Sequence, residues 1–158
     1  MRRNADAMRD QRVELHKSEE IPAPVNEVWA LLTDWAGMLR WSLSAKRPGA
    51  LGALVRCELI GEADKIPRTR RMILSSGAAV EEELFYQNDE TKRIYYRKTD
   101  TFGTRGYIAS GYVDELDDRR SRLDILSWFD AEEEASVAAA RYEAIYGGIF
   151  EGFKAHFA

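Results

Sequence analysis

The residue best placed to do chemistry is Glu82. It stands in the run Val80-Glu81-Glu82-Glu83-Leu84. A period of two puts it on one face with Val80 and Leu84. A carboxylate on an apolar face is costly to desolvate, so it raises its proton affinity or finds a cation. Arg70, which shares a face with Met72 and Leu74, lies one hairpin away. With Gly77 at the centre of the turn, Met72 falls opposite Glu82 and Arg70 becomes its diagonal neighbour. Arg70 can then act as counterion in a charge-assisted pair. Two uses of the pair are open. One is structural: an ion pair at the mouth of a sheet, or a bulge that turns Glu82 outward. The other is a polar anchor in a ligand cavity, or a general acid/base for enolisation or dehydration. The second use makes Glu82 the candidate catalytic residue.

Other side chains add to or limit this chemistry. Tyr95, Tyr96, Tyr107, Tyr112, Tyr142 and Tyr146 are many phenols for a chain of 158 residues. A phenol has an apolar body and a polar tip, which suits an amphipathic ligand or a half-buried sheet position. Trp29 and Trp35 read as packing residues, and Trp41, in the segment after them, as the tryptophan placed to touch a ligand. His16 and His156 lie far apart and pair with no nucleophile or metal-ligand set. No phosphate loop, dinucleotide fingerprint or Cys/His cluster is present, so neither a metal nor a cofactor is expected. Cys57 is the one cysteine. It excludes an internal disulfide, suits a reducing compartment such as the cytoplasm, and reads as a small buried apolar residue.

These residues need elements to position them. Residues 13–20 alternate as a first strand, which the prolines of Ile21-Pro22-Ala23-Pro24 stop. Asn26 is expected to cap a short helix over 27–32, and Thr33-Asp34 a second over 35–40. Pro48, Gly49 and Gly52 mark a loop. The period then becomes two. Ala53, Val55, Cys57 and Leu59 alternate with more polar residues. Val80, Glu82, Leu84 and Tyr86 share a face, as do Tyr107, Ala109, Gly111 and Val113, and then Leu123, Ile125 and Ser127. Ser75-Ser76-Gly77, Asn88-Asp89-Glu90 and Asp117-Asp118-Arg119-Arg120 are turns between them. A long helix follows over 132–157, capped by Asp130, with Val137, Tyr142, Ile145, Ile149 and Phe153 on one stripe. Gly147-Gly148 interrupts it, for close approach to the sheet or to leave room for a ligand. The organisation is α+β: about seven antiparallel strands, two short helices after the first strand and one long C-terminal helix. A domain over 13–158 is expected to follow a flexible tail over 1–12, which carries four arginines and no apolar core.

The order of several motifs resembles the START-related superfamily with the Bet v 1 fold, the polyketide cyclase/dehydrase and lipid-transport type. The resemblance rests on Ile21-Pro22-Ala23-Pro24 with Val28-Trp29, Asp34-Trp35 and Trp41. It continues through Arg70, Gly77 and Val80-x-Glu82-x-Leu84, then Arg93-x-x-Tyr96, Tyr107 and Tyr146-Gly147-Gly148-Ile149. It spans residues 13–157. Two departures stand out: Asp64-Lys65-Ile66-Pro67-Arg68-Thr69 where many members have Gly-x-Gly before the arginine, and Ile125 where many have tryptophan.

The resemblance implies a helix-grip fold, a bent sheet wrapped around the long helix with a cavity between them. The sheet residues expected to line it are Arg70, Met72, Glu82, Leu84, Tyr96, Tyr107 and Ile125. Trp41 and the helix residues Tyr142, Ile145 and Ile149 complete the set. Three functions are compatible: a carrier or sensor of a small hydrophobic or aromatic molecule, a polyketide cyclase/dehydratase-like enzyme, or a protein-interaction module with a protein partner. A net charge of −4 argues against nucleic acid. No apolar run approaches membrane-spanning length, so stable membrane insertion is not expected.

Overall fold

The structure, a computed structural model, describes residues 11–42 and 53–158. The loop marked by Pro48, Gly49 and Gly52 lies outside the described residues, as does the expected tail up to residue 10. Strand β1 (Arg12–Ile21) leads into helices α1 (Val25–Thr33) and α2 (Met38–Trp41). Six strands follow: β2 (Leu54–Ile60), β3 (Arg68–Leu74), β4 (Ala79–Asn88), β5 (Arg93–Lys98), β6 (Thr104–Glu115) and β7 (Ser121–Ala131). Helix α3 (Ala135–His156) closes the chain. The seven strands form one sheet in the order β1-β7-β6-β5-β4-β3-β2, with antiparallel neighbours throughout.

Local chemistry explains the turns. Gly77 takes φ +87° in the β3–β4 turn, and its N–H donates to the carbonyl of Leu74. The Asn88 side chain accepts from the amides of Glu90 and Thr91, and Asp117 from that of Arg119. Three irregularities bend the sheet, between Leu54 and Arg56, Leu84 and Tyr86, and Arg105 and Ile108.

These bulges change faces that simple alternation assigns. The bulge in β2 leaves Leu54 buried and Val55 55% exposed, while Cys57 and Leu59 face inward opposite Met72 and Arg70. The bulge in β4 separates Tyr86 from Leu84 and pairs it with Tyr95 on the convex face. Strand β7 runs on through Asp130, whose carboxylate meets Arg12 of β1 at 3.6 Å. Asp130 is therefore a strand residue and not a cap. Glu134 holds the N-cap position of α3 without a side-chain cap. Likewise Pro24, not Asn26, precedes α1, and its carbonyl accepts from Glu27 and Val28.

The core lies between the concave face and α3. Ala138, Tyr142, Tyr146, Phe150 and Phe153 form the buried stripe of the helix, while Val137 is 47% exposed. Lys154 pairs with Glu19, and Lys17 Nζ reaches the carbonyl of Glu143 at 3.4 Å, which ties α3 to β1. Arg68 anchors α1 from the other end of the sheet. Its guanidinium donates to the carbonyl of Thr33 at 2.8 Å, at the negative end of that helix, and to Gln87 Oε1 at 2.7 Å.

The glycines of α3 divide by use. A Cβ on Gly152 would lie 2.4 Å from the carbonyl oxygen of Trp41, so this glycine permits the contact of α2 with α3. Beside Gly147 and Gly148 a Cβ would meet nothing within 4 Å. Close approach belongs to Gly152 and open space to the Gly147-Gly148 pair. Gly152→Ala is therefore expected to destabilise the fold by about 1–3 kcal/mol through overpacking. Gly148→Ala should stabilise it by roughly 0.5–1 kcal/mol through helix propensity. Urea unfolding of the two variants checks this, and an equal effect of both would remove the distinction.

Candidate functional site

The site is built on one cross-strand row. Arg70 of β3 lies directly opposite Glu82 of β4, which lies directly opposite Lys98 of β5. Direct partners on antiparallel strands share a face, so all three enter the concave side. Arg70 is the direct partner of Glu82 rather than the diagonal one, and Met72 faces Val80. The turn is centred one residue earlier than Gly77, and that moves the pairing by two. The pair is tight and buried. Arg70 Nε and Nη2 reach Glu82 Oε1 at 2.9 and 2.8 Å, and each residue is 7% exposed. Glu82 Oε2 has no hydrogen-bond partner among the described residues.

Trp35 roofs this pair. The Arg70 guanidinium carbon sits 3.6 Å from the centre of the indole ring, a desolvated cation–π contact. The indole Nε1–H donates to the Glu82 carbonyl at 2.9 Å. Tyr96 meets Trp35 edge-on at 5.0 Å. The segment between α1 and α2 therefore closes the polar row from above, and Asp34-Trp35 is placed there by the end of α1.

Lys98 was not legible as a site residue from its own strand. Its Nζ donates to Thr104 Oγ1 at 2.8 Å and to Thr101 Oγ1 and the Thr101 carbonyl at 3.0 Å. It therefore holds the β5–β6 connection. Burial pulls its ammonium down to about 8, against the pull of Glu82 and Asp100 in the other direction.

The phenols gather beneath the row. Tyr107 and Tyr146 join hydroxyl to hydroxyl at 2.6 Å, and Tyr146 donates on to Ser127 Oγ at 2.5 Å. The order fixes Tyr107 as the first donor. Tyr142 packs against both Tyr107 and Phe129, with ring centres 5.3 and 4.9 Å away. Burial holds the phenols of Tyr96 and Tyr107 well above the ordinary value, pushes Tyr142 up to about 12, and raises Tyr146 as well. The Glu82 charge acts in the same direction on each of them. These groups are hydrogen-bond donors through neutral and mildly alkaline pH.

The remaining sequence candidates fall into two groups. Leu84, fully buried, and Ile125, 4% exposed, are floor residues of the core. Met72, Ile145 and Ile149 pack on that core yet stay partly exposed, as do Leu59 and Leu74. They give the concave side a partly exposed apolar flank. Trp41 packs on Phe153 with ring centres 4.7 Å apart and the rings tilted by 56°. Cys57 faces inward opposite Met72, and burial pushes its thiol up, so it is partly rather than fully buried and unreactive in character. His16 lies on the convex face, where Nε2 meets Asp124 Oδ1 at 2.8 Å. Among the described residues no cluster of His, Cys, Asp or Glu could hold a metal ion. No helix among them is long and apolar enough to cross a membrane.

Residues 12–158 match the family described as polyketide cyclase/dehydrase and lipid transport. No curated protein matches the chain by sequence. Among solved structures it is similar to XoxI from Bacillus cereus, at 17% identity and a TM-score of 0.76, covering 92% of this chain and 95% of that one. A START superfamily protein from Mycobacterium smegmatis gives 9% identity and a TM-score of 0.73, covering 91% and 96%. Norcoclaurine synthase from Thalictrum flavum, in complex with dopamine and hydroxybenzaldehyde, gives 14% and 0.65, covering 90% and 84%. At these identities the likeness is one of fold, and the fold is the helix-grip of START and Bet v 1-like proteins.

The interior sets a pH dependence whose sign follows from the shifts. The unfolded chain keeps Lys98 protonated to about its ordinary 10.5, whereas the folded chain releases that proton near 8. Between these values the unfolded state binds more protons, and stability rises with pH. Tyr142 acts oppositely: its phenol titrates at 10.0 when unfolded and at about 12 when folded, so stability falls as pH passes from 10 to 12. Urea midpoints across this range are expected to rise and then fall. Lys98→Met should abolish the rise and keep the fall, and a rise that survives the substitution would exclude Lys98 as its source.

Proposed function

This chain belongs to the polyketide cyclase/dehydrase and lipid transport family, and we propose that it binds a small, mainly apolar or aromatic molecule between α3 and the concave face of the sheet. The observation that carries this reading is the half-committed carboxylate of Glu82. One oxygen takes both Arg70 nitrogens, and the other is left for a partner that the described residues do not supply. Such an atom, at the edge of a partly exposed apolar flank, suits an apolar body carrying one hydroxyl or amine. Met72, Ile145 and Ile149 would cover the body. The plant synthase of the same fold was solved with dopamine and hydroxybenzaldehyde, which are small aromatic molecules of this class. The protein acts in this reading as a carrier or sensor in a reducing compartment such as the cytoplasm, which a single cysteine suits.

A second reading is enzymatic. Tyr96, kept protonated by burial, lies within the field of the Glu82 carboxylate. A base and a proton donor at one site suffice to enolise or dehydrate a bound β-carbonyl compound. Glu82 would take the proton, and Tyr96 or Tyr107 would hold the oxygen. This requires the free oxygen of Glu82 to face the ligand, as binding does, so the two readings differ in turnover and not in place.

Titration with a fluorescent naphthol tests the binding. The native protein is expected to bind it at one site. Ile149→Trp should block binding by filling the flank, at a cost of about 1–3 kcal/mol in stability. Glu82→Gln leaves Arg70 buried without its counterion and should cost roughly 3–5 kcal/mol, against about 0–1 for an exposed pair. Arg70→Met, which strands the carboxylate, should cost a similar amount. Turnover of a β-carbonyl substrate that Glu82→Gln abolishes would select the enzyme. Folded protein that binds no naphthol, or variants at Glu82 and Arg70 equal to wild type in stability and binding, would overturn the assignment.

A further inference from the structure

The sheet ends in β1 on one side and in β2 on the other. The β1 edge is tied to α3, through Lys17 with the carbonyl of Glu143 and Glu19 with Lys154. Among the described residues, none makes a backbone hydrogen bond to the outer edge of β2.

Which groups face that edge follows from the ladder. In the β3–β4 hairpin the Leu74 N–H donates to the carbonyl of Ala78, while the Ser75 N–H donates the other way, to Ala53. Successive residues of an antiparallel strand point their N–H and C=O to opposite neighbours. Even-numbered residues of β3 therefore bond to β4 and odd-numbered ones to β2. Ile73, Arg71 and Thr69 lie opposite Arg56, Glu58 and Ile60. That leaves the N–H and C=O of Cys57 and Leu59 pointing out at the open edge. An unpaired row of this kind is a template for another strand.

The side chains say which strand. Arg56 and Glu58 flank Cys57 on the convex face, with side chains 65% and 42% exposed and Arg56 Nε 2.8 Å from Glu58 Oε1. Val55 and Ile60, toward the two ends of β2, are large apolar residues left exposed. Charges on an edge strand ordinarily keep sheets apart. Here the two are opposite in sign and symmetric about Cys57. Two copies of β2 set antiparallel about Cys57 place Arg56 of each opposite Glu58 of the other. Sliding by two residues, the smallest shift that keeps the same backbone groups facing, sets Arg56 against Arg56 or Glu58 against Glu58. The charges therefore select one register. In it the Cys57 N–H of each copy donates to the Cys57 carbonyl of the other, and the Val55 end of one strand runs beside the Ile60 end of its mate.

We propose that this chain forms a two-fold dimer through antiparallel pairing of β2 with β2 of a second copy, centred on Cys57. The two seven-stranded sheets join into one. Cys57 and Leu59 face the concave side, so the apolar flanks of the two copies come side by side and each covers part of the other. The dimer is independent of the ligand reading, and either can fail without the other.

Sedimentation velocity of the full chain over a concentration series tests it. The wild type is expected to pass from monomer to dimer as concentration rises. Arg56→Glu sets like charges opposite at both pairs and should weaken self-association about tenfold or more. Glu58→Arg should do the same. The double variant restores opposite charges and should dimerise as the wild type does, and the two single variants, when mixed, should pair with each other. A wild type that stays monomeric, a dimer that Arg56→Glu leaves intact, or folded single variants that do not pair when mixed would overturn the proposal. Should a variant fail to fold, hydrogen exchange at the Cys57 amide of the wild type decides. Exchange should slow as concentration rises, and a rate independent of concentration would refute the pairing.

Discussion

The concave face depends on one buried charge. Glu82 stands where alternation puts an apolar side chain, and a lone carboxylate there would be expelled or neutralised. Arg70 is the direct cross-strand partner that keeps it, and Trp35 shields the pair from water while bonding the backbone of the same residue. A pair of this kind is weak evidence for net stability, because desolvation of both ions offsets much of their attraction. Its worth lies in geometry. The guanidinium cannot leave without stranding the carboxylate, so β3, β4 and the α1–α2 connection are held in one arrangement. The phenols below and Lys98 beside them feel the same charge. Their hydrogen bonds to one another and to Thr101, Thr104 and Ser127 satisfy the interior without it.

Much of this was legible in the sequence, because it follows from short-range pattern. Period two named Glu82 as a buried acid and Arg70 as its counterion. Turn residues placed the hairpins, and the motif order from Pro22 to Ile149 gave the fold. The misreadings share a cause, which is that they depend on non-local pairing. The β3–β4 register moved by two because the turn centre falls before Gly77, and this exchanged the places of Arg70 and Met72. Bulges turned Val55 and Tyr86 outward against their alternation. Lys98 looked like the end of an ordinary strand, and only the β4–β5 register brings it to Glu82. Asp130 had the right type for a helix cap, but the β1–β7 ladder claimed it first. In α3 the glycine pair drew the eye, while the glycine that meets another element is Gly152, four residues on and without any local mark.

Recognition in such an interior has to come from atoms whose bonding is incomplete. The Tyr107–Tyr146–Ser127 chain and the threonine cradle of Lys98 are internally spent, and a ligand that engaged them would have to break what it gained. They define the shape and dielectric of the space and leave its selectivity to others. The free oxygen of Glu82 is an acceptor held rigid by its partner. It is fixed by the same interactions that fold the chain, so in the proposed reading it needs no ordering when a ligand arrives. A molecule with no donor to offer would leave it desolvated and unpaired. That penalty on the wrong ligand, more than added attraction for the right one, is what would let a binding face with few polar groups be selective.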